Sequence, residues 1–235
     1  MGKKCRAQVL SIGQGHEGGQ CVLIVHIGTD EEPPEASYLY VVESMQGLRS
    51  ALAQQLWITA KQKKRLRAGV HLPKTNDTPI TRVRGDAAYL FAQYLEEVFA
   101  ETADPAPPPP FEENDDPTIC YFAILTTTND HFAIITVWTG QQQILYVCYS
   151  VEAALQLSNK HPQIPEAEWA EVIDQVMDET DPIPFRHDDG NITISGGVAH
   201  ILTCCVEQHA CACADESEDK EMLRLPQTPR ARGQA

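Results

Sequence analysis

A cluster of residue types that bind metals lies near the end of the chain, in residues 204–213, which read CCVEQHACAC. Thiolate sulfur and imidazole nitrogen are the ligands that zinc prefers. In a helix, Cys205, His209 and Cys213 would share one face, but the outer two would be about 12 Å apart. In a strand, Cys211 would join them on one face, but all four would be too far apart for one tetrahedral ion.

Three hypotheses therefore stand for this cluster. The first is a zinc site at Cys205, His209, Cys211 and Cys213, which would make the chain a metal-dependent enzyme or sensor. The second is a set of redox-sensitive thiols. The third, which we favour, is the packing of a terminal strand, because the paired C-x-x-C spacing of structural zinc sites is absent from the sequence.

Two further segments contain residues of chemical interest. Residues 13–19, GQGHEGG, have the glycine content of a phosphate-binding loop, but they lack the Lys-Ser/Thr pair and precede a strand-like run. Residues 187–191, HDDGN, are typical of a hairpin turn. The sequence also lacks G-x-S-x-G, H-E-x-x-H and Walker-type motifs, so it favours a protein that is not an enzyme and needs no cofactor.

A dense basic run occupies residues 61–67, KQKKRLR. It belongs to an insertion, residues 58–85, that holds eight Lys/Arg residues and a single acid, Asp77. Such a run is typical of a solvated helix extension, of a contact with nucleic-acid phosphates or an acidic protein surface, or of docking on the acidic second unit of the same chain. The residues that would make such a contact are Lys61, Lys63, Lys64, Arg65 and Arg67.

The acidic residues of the chain lie almost entirely in its second half. Residues 1–103 carry twelve Lys/Arg and eleven Asp/Glu, whereas residues 104–235 carry six and twenty-two. Much of this charge follows one amphipathic helix, where it would recruit a partner with a basic surface through steering. We therefore expect an inhibitor, an immunity-type partner or an adaptor that binds through Glu168, Glu171, Asp174, Asp178, Glu179 and Asp181.

An internal duplication organises the elements that position these residues. The segment LYVVES at residues 39–44 reappears as LYVCYS at residues 145–150. In each copy, two strand-like runs precede this segment and amphipathic helices follow it, with Ser44 and Ser150 where an N-cap is expected. The sequence predicts an α+β protein of two tandem βββαα units, each an antiparallel three-stranded meander followed by helices.

The predicted helices of the two copies are 45–57 and 87–101 in the first, and 151–158 and 166–179 in the second. Asp86 is expected to cap the helix at 87–101. The apolar stripes of 87–101 and 166–179 have the same spacing, so we expect these two helices to be equivalent.

Composition predicts the domain limits. The first unit covers residues 1–103, a proline-rich acidic linker covers 104–117, the second unit covers 118–214, and a disordered tail covers 215–235. The sequence has no run of apolar residues long enough to span a bilayer and no signal-peptide pattern at its start. We therefore expect a cytoplasmic protein with no membrane partner.

Overall fold

Two four-stranded antiparallel sheets form the framework of the protein. The computed structural model describes residues 4–12, 19–28, 34–74, 80–102, 116–126, 131–179 and 191–216. The α+β class and the two similar units of meander plus helices are confirmed, and each sheet has one strand more than the sequence predicted. The glycine-rich loop at 13–18, the turn at 187–190, most of the linker and residues 217–235 lie outside the described residues.

The first unit runs in the order βββααβα. Its elements are β1 (Lys4–Ile12), β2 (Gln20–Gly28), β3 (Ala36–Val42), α1 (Met45–Gln54), α2 (Ala60–Arg67), β4 (Thr81–Arg84) and α3 (Gly85–Glu101). The second unit repeats this order with β5 (Thr118–Thr126), β6 (His131–Trp138), β7 (Gln143–Cys148), α4 (Val151–Lys160), α5 (Glu166–Glu179), β8 (Asn191–Ser195) and α6 (Gly196–Glu216). In each sheet the strand order follows the chain.

The duplication extends to the caps of the first helix in each unit. Ser44 accepts a hydrogen bond from Gly47 N at 2.9 Å, and Ser150 accepts one from Ala153 N at 3.0 Å. Each contact satisfies an N–H group that the helix itself leaves unpaired, which is worth about 1 kcal/mol. The predicted N-caps are therefore confirmed.

The C-terminal ends of these helices are hydrogen-bonded to the sheet at equivalent positions. In the first unit, the C-cap residue Gln55 donates from Nε2 to the hydroxyl of Tyr40 on β3 at 2.8 Å. In the second unit, the C-cap residue His161 shares a 2.6 Å hydrogen bond between Nε2 and the hydroxyl of Tyr146 on β7. Equivalent positions thus perform one structural task with different side chains.

The fourth strand corrects the expected equivalence of the longer helices. Val83 of β4 pairs with Leu39, and Ile194 of β8 pairs with Leu145, so the two strands are equivalent. Each is followed at once by a glycine with positive φ, Gly85 at 71° and Gly196 at 72°, which turns the chain into a helix. The counterpart of α3 is therefore α6, and α5 corresponds by position to α2.

Two further predictions about secondary structure are wrong. Asp86 does not cap α3, because the helix begins at Gly85 and its N-cap residue Arg84 makes no side-chain cap hydrogen bond. The segment that we expected to be a terminal strand is the second half of α6. Its Cys and His residues therefore follow helical spacing.

The buried apolar residues in the described part of the chain form three cores. A central core contains α3, α6 and one face of each sheet, so the two units pack on each other. The opposite face of the first sheet packs on α1, α2 and the segment that follows α2. The opposite face of the second sheet packs on α4 and α5. The apolar stripes of α3 and α5 have similar spacing, but α3 packs in the central core and α5 packs on the opposite face of the second sheet.

Gln20, at the start of β2, joins the two units. Its Nε2 donates to Ser195 O at 2.8 Å and to Glu43 Oε1 at 2.9 Å, and its Oε1 accepts from Val198 N at 3.1 Å. Val198 lies in the first turn of α6, where N–H groups have no partner within the helix. A side chain of the first unit thus caps a helix of the second.

Candidate interaction surfaces

Helix α2 is built to hold its basic residues on the outside of the first unit. Its N-cap Thr59 and Gln62 form a capping box, with Thr59 N donating to Gln62 Oε1 at 2.9 Å and Gln62 N donating to Thr59 Oγ1 at 3.3 Å. Leu66 packs against the core that lies between the first sheet and helices α1 and α2. The last turn holds Lys64, Arg65 and Arg67, where cations interact favourably with the helix dipole.

The structure brings the predicted basic residues together on this helix. Lys61, Lys64 and Arg65 are exposed, and Lys63 and Arg67 are half-buried. Arg67 Nε donates to Lys63 O at 3.1 Å, and none of the five forms an ion pair with any described residue. Their positive charge is therefore not neutralised by the described part of the chain.

Two large apolar side chains are exposed in the turn before α2. Leu56 is 89% exposed and Trp57 is 55% exposed. The sequence prediction placed Trp57 at the end of the first helix, but α1 ends at Gln54. We call the outer surface of residues 45–74 the basic layer, because this segment holds seven Lys/Arg residues and no Asp or Glu.

A shallow cavity of about 340 Å³ lies within the basic layer, between α1 and the segment after α2. Arg49 of α1 and His71 and Lys74 of the later segment line it, and Met45 N at the start of α1 donates to Pro73 O at 3.0 Å. Arg49 and Lys74 extend the positive surface of α2 toward the first turn of α1.

Helix α5 places the predicted acidic residues in two different roles. Glu168 Oε2 accepts from Thr118 Oγ1 at 2.9 Å and from Ile119 N at 3.1 Å, so this carboxylate holds the start of β5. Glu171 and Asp174 are exposed. The side chains of Asp178 and Glu179, and the whole of Asp181, lie outside the described residues, so their predicted role stays a prediction.

The outer surface of residues 151–179 is the counterpart of the basic layer, and we call it the acidic layer. This segment holds seven Asp/Glu residues and one Lys. It also exposes Leu155 of α4 and Met177 of α5, by 39% and 55%. All four large apolar side chains exposed in the described residues thus lie on these two layers, two on each.

The Cys/His cluster lies on α6, where only part of it is described. Burial raises the pKa of the Cys205 thiol to about 11, and Cys205 packs in the central core. Cys204 Sγ lies 3.8 Å from His200 Nε2; burial raises the pKa of Cys204 and lowers that of His200, so this pair stays neutral near pH 7.

The side chains of His209, Cys211 and Cys213 lie outside the described residues. Among the residues with described side chains, no group of three or more His, Cys, Asp or Glu is placed to hold a metal ion. Of the four predicted ligands, Cys205 alone has a described side chain, and the zinc hypothesis stays a prediction.

A row of polar residues, buried at His26 and Ser37, lies at one end of the first sheet, and the sequence analysis missed it. His26 Nδ1 lies 2.9 Å from Ser37 Oγ, and His26 Nε2 lies 3.8 Å from Glu96 Oε1 of α3. Arg6 Nη2 lies 3.5 Å from Glu96 Oε2, and Gln8 Nε2 also donates to Glu96. The residues are distant in sequence. Strand pairing places Arg6 and Ser37 on either side of His26, and α3, which packs on this sheet, contributes Glu96.

These residue types resemble a catalytic arrangement, but their burial does not suit one. Ser37 is 4% exposed and does not line the adjacent 310 Å³ cavity, whose walls include Arg6, Gln8, Glu96 and Phe99. A nucleophile must reach its substrate, so a buried hydroxyl cannot act as one in this conformation. The row satisfies buried polar groups between the sheet and α3.

The second unit fills the same structural position with other polar groups. Trp138 pairs with Gln143 where His26 pairs with Ser37, and Gln143 Oε1 lies 3.0 Å from His200 Nδ1 on α6. Both units therefore have a polar link between the sheet and the central helix at this end. Its recurrence with different side chains indicates a structural role that both units need.

No helix in the described part of the chain has the length and apolar character needed to span a bilayer. Comparison of the chain with protein-family models, with curated proteins and with solved structures found no match.

Proposed function

We propose that this protein is an adaptor or inhibitor that binds a basic protein surface through the acidic layer of its second unit. The observation that carries the proposal is the opposite charge of two equivalent helical layers. Residues 45–74 hold seven Lys/Arg and no acid, whereas residues 151–179 hold seven acids and one Lys. Packing requirements are alike in the two units, so they do not account for this difference.

The accessible part of the acidic layer supports protein recognition. Glu171 and Asp174 are exposed, and Leu155 and Met177 expose apolar surface on the same pair of helices. Protein interfaces combine an apolar centre, in which methionine is enriched, with a polar rim. Carboxylates at the rim would raise the association rate with a basic partner in a salt-dependent way.

Glu168 does not belong to the proposed contact, because its carboxylate is occupied by Thr118 and Ile119. This separates a structural acid from the exposed acids on one helix. The variants that test the proposal therefore leave Glu168 unchanged.

Affinity purification of the tagged full chain from its native host, followed by mass spectrometry, tests the proposal. The variant E171K/D174K reverses two exposed charges of the acidic layer. The control E97K/E101K makes the same change in net charge on α3, where both side chains are exposed. We expect basic partners that are retained by the control, lost by the acidic-layer variant and released at high salt, since exposed charge pairs are screened.

The two variants also define the result that would refute the proposal. If both retain the same partners, or if no partner of the wild type has a basic surface, the acidic layer is not the binding surface. A circular dichroism spectrum equal to that of the wild type confirms that the variants are folded.

A further inference from the structure

We propose that a partner of the acidic layer is the basic layer of another copy of this chain. The inference rests on the proposed function, because it names the basic surface that the acidic layer binds. Both complementary surfaces are present on one molecule, so each copy can bind one copy through its acidic layer and another through its basic layer. Such an interface between two different surfaces is heterologous, and it leads to a ring or an open chain of subunits.

The two layers complement each other in charge. Lys61, Lys64 and Arg65 are exposed on the basic layer without ion pairs to described residues, and Glu171 and Asp174 are exposed on the acidic layer. A contact between the layers would bring opposite charges together at the rim, where pairing favours the correct register.

The two layers also complement each other in apolar surface. The basic layer exposes Leu56 and Trp57, and the acidic layer exposes Leu155 and Met177. A tryptophan packed against methionine and leucine is typical of the centre of an interface, where tryptophan often contributes most of the binding energy. One contact would therefore bury all four of the large apolar side chains that are exposed in the described residues.

The net charge of the chain, −15, opposes association, because two copies repel each other over long distances. This conflict gives the inference a specific signature. At about 0.15 M salt the Debye length is about 8 Å, so distant charges are screened while contacting charges still interact. Association should thus be weak at low salt, strongest near physiological salt and weak again near 1 M, where the Debye length is about 3 Å.

Sedimentation velocity of the purified full chain tests the inference with two neutralising variants. K61Q/K64Q/R65Q removes the charge of the basic layer and keeps good helix formers in α2. E171Q/D174N removes charge from the acidic layer with side chains of similar shape. We expect the wild type to self-associate, each variant alone to associate at least about tenfold more weakly, and the control E97Q/E101Q to behave as the wild type.

A mixture of the two variants provides the decisive measurement. The first variant keeps an intact acidic layer and the second keeps an intact basic layer, so the mixture regains one native contact per pair. We expect 1:1 heterodimers with the affinity of the wild-type contact and no larger species. Because Trp57 is the most exposed tryptophan, its fluorescence should also become less accessible to acrylamide when the heterodimer forms.

Two results would overturn the inference. One is a wild-type protein that stays monomeric up to about 100 μM across the salt range, which would limit any self-affinity to values weaker than about −5.5 kcal/mol. The other is association that neither variant weakens. In either case, loss of host partners from E171K/D174K would still support the proposed function, so the two proposals fail separately.

Discussion

The joint at Gln20 gives the most direct test of how the two units are held together. In Gln20→Ala, Val198 N and Ser195 O lose the partner that now satisfies them, and Glu43 loses a donor. A buried polar group left without a partner costs about 1–3 kcal/mol. Val198 is buried and Ser195 is half-buried, so we expect a loss of about 2–4 kcal/mol in the free energy of unfolding.

Urea unfolding measures this loss with two probes. Trp138 and Trp169 are buried in the second unit, so tryptophan fluorescence reports mainly on that unit, while circular dichroism reports on both. Because the units share a central core, the wild type should unfold in one transition that is the same by both probes. Gln20→Ala should lower the midpoint, and a loss below about 0.5 kcal/mol would refute the assigned role.

Alanine substitutions at two glycines test the contact between Gln20 and the start of α6 from the side of the helix. Gly196 has φ +72°, and a Cβ there would lie 2.9 Å from Gln20 Oε1. Gly69 has φ +87° and no atom within 4 Å of its ideal Cβ, so Gly69→Ala reports backbone strain alone, about 1–2 kcal/mol. Gly196→Ala should cost about 2 kcal/mol more. In the Gln20→Ala background this excess should vanish, and its persistence would contradict the explanation.

Two further predictions concern the second unit. Burial, assisted by Lys160, lowers the pKa of His161, so the folded protein binds fewer protons than the unfolded chain once the pH falls below about 6.5. The variant His161→Gln places at this position the residue type of Gln55 in the first unit, so it should keep the hydrogen bond to Tyr146. It should reduce the loss of unfolding free energy between pH 7.5 and pH 5, and an unchanged loss would exclude His161 as a cause. Glu168→Ala should lower the free energy of unfolding by about 1.5–3 kcal/mol in urea, whereas Glu171→Ala, at an exposed position, should change it by less than about 0.5 kcal/mol; equal effects would contradict the separate roles of these two acids.

The sequence predicted the strands of both meanders because their signal is local. Runs rich in Val, Ile, Leu and Tyr between turn-forming segments lie at β1, β2 and β3 and again at β5, β6 and β7. Strand β4 escaped prediction because its four residues, TRVR, include only one apolar side chain, and the pairing of Val83 with Leu39 joins distant segments. Strand β8 has only five residues and pairs with β7 across two intervening helices.

The surfaces were predicted in part. The sequence identified the basic residues of α2 and the acids of α5, because charge on one helix face is visible in the spacing. It did not identify the exposure of Trp57, which depends on the end of α1 at Gln54, or the use of Glu168 by β5. Both depend on where another element lies, and helical periodicity contains no information about that.

The amino-acid sequence by itself determined the duplication, the α+β class and the division of charge between the halves, since local patterns and composition establish each of these. The tertiary structure decided which partner each apolar face meets. The stripes of α3 and α5 look alike in sequence, yet α3 joins the core shared by both units and α5 covers the outside of its own sheet. The physical reason is that spacing shows that a helix must bury one face, whereas long-range strand pairing and packing select the surface that buries it.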